Sequence, residues 1–273
     1  MPTQMQIYET AVPVSSGRYG KCSVEVNGYG FSRTVNSVIL VAAEFPLAAG
    51  DYAIVFAGSA GEVMPVVILG ARANENLYVT EQGEWLAKYI PAFIRRYPFV
   101  FSVGADATTF TLCVDEAFQG LNYTGRGKAL FTPEGNPTPY VQSVLDFLKE
   151  YVAQAERTKA FCKKLVELKL LQPMEAQFTL ESGEKSSLKG FMAVDRNKLK
   201  ALGGEILAEM AKSDELELLY LHLHSMRNFT RVKDRLIQTH TGKAAPEGAS
   251  AKPLPESQPS ESPPETAEPA LAE

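Results

Sequence analysis

The run Val66-Val67-Ile68-Leu69 sets the first condition on the fold, because four consecutive large aliphatics demand cover on both faces of a strand. A second apolar stretch, residues 38–57, makes the same demand. Glu44, Pro46, Gly50 and Asp51 interrupt it. It is too broken for the roughly 20 apolar residues of a membrane span, and it reads as buried strands. Short β-branched and aliphatic runs at 37–41, 52–57, 63–69, 77–80, 99–103 and 109–114 are punctuated by Gly, Asn and Asp. They predict a β-rich part over residues 1–137. One helix is expected within it, over 84–97, where Trp85, Tyr89, Phe93 and Tyr97 recur at three- and four-residue spacings. Pro91 would kink or split that helix, and Pro98 follows its end.

Beyond residue 137 the hydrophobic period lengthens. Val141, Val144, Leu145, Leu148, Val152, Ala155, Cys162, Leu165 and Leu168 form one stripe. It predicts a long helix over 138–171, capped by Thr138, with Pro139 at its first position and Pro173 closing it. Alternation at 175–181 and 187–194 around Ser182-Gly183-Glu184 predicts a hairpin. Asp195 caps a short helix to residue 202, a helix covers 205–211, and a last one runs from Ser213 to about Gln238. The chain therefore reads as α+β, with a β-rich N-terminal part packed with a helical C-terminal part (138–242) that carries a small β-hairpin. The two parts form one continuous domain or two.

Charge and proline mark the remaining boundary. Residues 243–273 hold seven of the 17 prolines and six glutamates, with no aromatic residue. Such a segment cannot bury enough apolar surface to offset its chain entropy, and it is expected to be disordered. It also accounts for most of the net charge of −5, leaving 26 acids and 25 bases in residues 1–242. A nearly neutral folded part lacks the basic excess of a nucleic-acid binder. The three cysteines (Cys22, Cys113, Cys162) are far apart, odd in number and without a CxxC pair. Free thiols in a reducing compartment follow. The N-terminus has no basic or apolar signal region, so a cytoplasmic protein is expected.

No catalytic signature stands out. Gly58-Ser59-Ala60-Gly61 lacks the Lys-Ser/Thr of a phosphate loop, and neither a GxSxG elbow nor an HExxH motif is present. His222 and His224 lie two apart, about 200° around a helix, and cannot face one metal ion. The candidate ligand- or client-binding residues are Glu44, Arg95, Arg96, Asp115 and Glu116. Arg95 and Arg96 lie among aromatics, where a guanidinium can hold a carboxylate or phosphate. Glu44 breaks an apolar stretch and needs a buried partner such as Arg33, Arg72 or Arg95. Asp115 and Glu116 end an apolar strand, where a sheet can position loop residues.

Several segments together resemble the SapC family of bacterial proteins. They are residues 35–56 (VNSVILVAAEFPLAAGDYAIVF), 89–99 (YIPAFIRRYPF), 112–116 (LCVDE), 130–138 (LFTPEGNPT), 161–173 (FCKKLVELKLLQP) and 190–202 (GFMAVDRNKLKAL). The family label is tied to surface-layer protein secretion and transport, and it brings no catalytic residues with it. With no membrane span in the sequence, the resemblance implies a soluble accessory protein that recognises a protein or peptide client without catalysis, metal or cofactor. The competing expectation is an enzyme of unknown reaction with a pocket built from Glu44, Arg95, Arg96 and Asp115. Single-stranded nucleic acid on Arg95, Arg96 and nearby rings is the weaker third reading.

Overall fold

Val66, Val67, Ile68 and Leu69 lie at the centre of a five-stranded antiparallel sheet, all of them buried. The computed structural model describes residues 7–59, 62–104, 109–179 and 185–241. The strands are β1 (Ala11–Pro13), β2 (Ser23–Val24), β3 (Ser37–Ile39), β4 (Ile54–Ala57), β5 (Met64–Ile68), β6 (Phe99–Val103), β7 (Phe110–Asp115), β8 (Leu121–Asn122), β9 (Lys128–Ala129), β10 (Leu171–Thr179) and β11 (Lys185–Val194). The large sheet has the order β10-β11-β4-β5-β3, so the C-terminal hairpin joins strands from the first seventy residues. Two three-stranded sheets, β1-β7-β6 and β8-β2-β9, stand beside it. The architecture is α+β. The hairpin's turn and the Pro/Glu-rich tail lie outside the described residues.

The helices are α1 (Ser16–Tyr19), α2 (Phe45–Ala48), α3 (Ala92–Arg95), α4 (Pro139–Glu167), α5 (Arg196–Lys200), α6 (Gly204–Lys212), α7 (Glu215–Ser225) and α8 (Phe229–Thr241). Helix α4 begins as its sequence requires. The Thr138 hydroxyl accepts the Val141 N–H, and Pro139 occupies the first turn. Its 29 residues run without a break, about 43 Å at 1.5 Å each. One end packs Val141 and Leu148 onto the small sheets, through Cys22, Val24, Phe99 and Val114. Midway, Tyr151 packs on Val41 and Ala92. The far end places Phe161, Cys162 and Leu165 against Phe56, Val194, Leu199 and Leu219. Helix α8 closes the main core with Val232 and Leu236.

Sheet pairing between β4 and β11 is thin, with a single register pair, Met192 with Phe56. Helix α7 supplies what the strands do not. The fully buried His222 ring sits between them: Nδ1 lies 2.8 Å from the Ile54 carbonyl, and Nε2 accepts the Val194 N–H at 3.0 Å. These partners require the neutral tautomer protonated on Nδ1. The Ser225 hydroxyl accepts the Ile54 N–H. Asn228 then donates to the carbonyls of Ala49 and Tyr52. Arg235 caps the carbonyls of Leu77 and Leu86, and its guanidinium lies over Tyr78.

Four expectations need correcting. Residues 84–97 do not form one helix; α3 is a single turn that begins after Pro91. Pro91 itself is extended (ψ 140°), because a proline ring disfavours helix in the residue before it and offers no N–H. Trp85 and Tyr89 are fixed by contacts instead: the indole N–H donates to the Tyr52 hydroxyl, and the Tyr89 N–H to Asp51. Residues 77–80 make only an isolated bridge, Val79 with Trp85. The last helix breaks at Met226–Asn228, which tightens into a 3₁₀ turn that aims Asn228 at the core. The long helix stops at Glu167, where Lys169 takes a left-handed φ of 53°, before Pro173 is reached. Pro173 lies on the edge strand β10, where a missing donor is tolerated.

Burial pushes the His222 imidazole down to about 4. The unfolded chain then binds a proton that the folded chain refuses between about pH 6.5 and pH 4, so stability is lost as pH falls through that window. Urea denaturation of the wild type at pH 7 and pH 5 is expected to show a loss of about 2 kcal/mol from this group. In His222→Phe that component is absent. The variant is weaker at pH 7 by about 2–4 kcal/mol, with the Ile54 carbonyl and the Val194 N–H left unpaired.

Candidate functional site

The segment 92–99 carries Arg95, Arg96, Tyr97 and Phe99 along one wall of a cleft of about 340 Å³. Tyr29 and Phe31 come from the loop and 3₁₀ turn before β3, and Tyr140, Val144 and Phe147 from the first turns of α4. Helical geometry explains the last wall. Positions 140, 144, 147 and 151 follow a four-three-four spacing along one face of α4. Phe31 stacks on Tyr97 with ring centres 4.2 Å apart. The lining is aromatic and aliphatic apart from Ser143 and the two arginines, with no acidic residue in it.

Arg95 is exposed at the cleft. Its Nε donates to the Ile90 carbonyl at 3.0 Å and its Nη2 to the Tyr89 hydroxyl at 3.3 Å. The guanidinium lies over the Tyr89 and Phe147 rings. The Tyr89 hydroxyl in turn donates to Glu44 Oε1 at 2.7 Å. Glu44 is thus joined to Arg95 through a tyrosine, and the direct ion pair expected from the sequence is replaced by this relay. The carboxylate also accepts the N–H groups of Val41 at 2.9 Å and Ala92 at 2.6 Å. Burial pushes its carboxyl above the usual range, and the three hydrogen bonds and Arg95 oppose that rise.

Arg96 is turned inward and only 5% exposed. Its guanidinium is enclosed by the rings of Phe93, Tyr151 and Tyr8. Tyr8 donates to the Phe99 carbonyl, which ties the start of the described chain to the cleft wall.

Asp115 is fully buried at the end of β7, and four donors fill its oxygens. They are the N–H groups of Glu9, Thr10 and Ala117 and the Tyr97 hydroxyl. A carboxylate so satisfied fastens β1, β7 and the segment before β6 to one another. Glu116 lies apart, paired with Arg18 at 2.6 Å and accepting the Tyr19 hydroxyl at 2.7 Å. The structure therefore links Glu44 with Arg95, brings Asp115 to the cleft through Tyr97, and leaves Glu116 elsewhere. The sequence reading missed Tyr8, Tyr29, Phe31, Tyr89, Tyr140, Phe147 and Tyr151. The α4 rings carried a detectable signal in their spacing; the others did not. Among the described residues no group of three His, Cys, Asp or Glu could hold a metal ion, and no helix is long and apolar enough to cross a membrane.

The hydrogen bonds rank the acids by structural weight. Asp115→Ala strands four donors and is expected to cost about 3–5 kcal/mol. Glu116→Gln loses only a part-exposed ion pair and should stay within about 1 kcal/mol of wild type. Urea midpoints of the two variants at pH 7 check the order.

Neither a curated protein nor a solved structure matches the chain. Residues 15–232 match a family model, and the matched span runs from α1 into α8, through the whole of the cleft and the His222 clasp. The chain belongs to the SapC family.

Proposed function

We propose that the protein is a non-catalytic binding protein that recognises a protein or peptide client through the aromatic cleft beside Arg95 and Arg96, in an accessory role of the kind the family name suggests for surface-layer secretion or transport. The observation that carries this reading is the division of labour among charged groups. Glu44 and Asp115, the carboxylates nearest the cleft, accept three and four hydrogen bonds from the protein itself. General acid–base catalysis needs a carboxyl within reach of a substrate proton. The groups that face the cleft are aromatic rings and guanidinium, which are the residue types that anchor protein interfaces.

A photo-crosslinking residue placed at Tyr140, inside the cleft, is expected to capture a client in the native host. The same residue at Tyr220, exposed on α7, is expected to capture none. Phe147→Ala together with Arg95→Ala should lower the Tyr140 adduct at least about tenfold. Equal adducts at both positions, or an adduct indifferent to the double substitution, would remove the cleft as the client site.

A further inference from the structure

Arginine keeps its charge at any physiological pH, so burying one without an opposite charge is costly. Arg96 bears that cost. Among the described residues neither its Nε nor its Nη2 has a hydrogen-bond partner, although both atoms are out of solvent. Three rings soften the charge: Phe93 lies 4.2 Å from the guanidinium carbon, Tyr151 5.0 Å and Tyr8 5.5 Å. Rings accept the flat faces of a guanidinium and leave its in-plane N–H groups unfilled. Nε and Nη2 share one edge, and their two parallel N–H bonds match the two oxygens of a carboxylate. The protein's own carboxylates nearby are already committed, Asp115 to four donors and Glu44 to three.

We infer that the open edge of Arg96 receives the C-terminal carboxylate of a peptide whose last side chain is apolar and lodges in the aromatic cleft. This rests on the client reading above and adds the chemical group that is recognised. Arg96 is one of the residues that line the cleft, and the cleft holds no acidic side chain to repel an anion. Its volume of about 340 Å³ is at the small end of ligand pockets, room for one or two residues at the end of a chain. Arg95 adds a second positive charge at the exposed side.

The probe is a pool of hexapeptides randomised at four positions and ending in Phe, Leu or Tyr, prepared once as free acids and once as C-terminal amides. Affinity selection on the full-length wild-type protein is expected to enrich the acids over the amides by about tenfold or more, the size of a lost charge-assisted bidentate contact. Arg96→Gln should abolish that preference. Equal enrichment of acids and amides, lost in Phe147→Ala, would overturn the carboxylate anchor and leave the client reading standing. Enrichment of neither pool would count against both. Competition by 3-phenylpropanoate as strong as that of the best peptide would assign the edge to small free acids and overturn the peptide terminus. Stability gives a second readout that needs no ligand. Arg96→Met keeps the bulk among the rings and removes the unpaired charge, so its melting temperature should equal or exceed that of wild type. A marked fall would make Arg96 a structural cation and sink the inference.

Discussion

One imidazole holds the two halves of the large sheet together. Between β4 and β11 the backbone ladder has a single register pair, and His222 bridges the remaining gap by pairing the Ile54 carbonyl with the Val194 N–H. The two strands come from stretches about 130 residues apart, so closing that seam brings the N-terminal strands and the C-terminal hairpin into one sheet. Ser225 and Asn228 extend the stitch along α7 and the turn after it, spending their side chains on backbone groups that no strand reaches. A sheet completed by side chains is specific in a way that a plain ladder is not, because only one seating of the helix satisfies all of these groups at once.

The same economy organises the cleft. Every carboxylate there serves the backbone or a tyrosine hydroxyl, and each fastens a segment that would otherwise have orphaned N–H groups. Glu44 anchors the first turn of α3, and Asp115 ties the chain before β1 to the end of β7. What remains facing the cleft is rings and guanidinium. That surface can bind by shape, stacking and charge, and it holds no carboxyl group placed to shuttle protons.

Much of the fold was legible in the sequence where one physical force acted alone. Continuous aliphatic runs gave the central strands, and a capped apolar stripe gave α4 to within a few residues at each end. Legibility failed where forces competed. Trp85, Tyr89, Phe93 and Tyr97 have helical spacing, yet Pro91 confines helix to one turn, and Trp85 and Tyr89 are held by hydrogen bonds to Tyr52 and Asp51. The stripe at 216–229 continues through Met226, yet Asn228 bends the chain to reach Ala49 and Tyr52. Arg95 and Arg96 stood out as a charged pair among aromatics. Their opposite environments, one exposed and one enclosed, depend on residues as distant as Tyr8 and Tyr151, and no local pattern carries that.

Helix α4 is one unbroken rod that touches the small sheets at one end, the cleft in its first half and the hairpin core at the other. Each residue turns a helix by about 100°. A single-codon insertion or deletion near its middle would therefore rotate Phe161, Cys162 and Leu165 out of the core if Tyr140 and Phe147 kept their places, or the reverse. Length variation along this chain should fall in its loops, while the number of residues between Tyr140 and Leu165 stays fixed. The helix acts as a ruler that sets the phase between the cleft and the distal core.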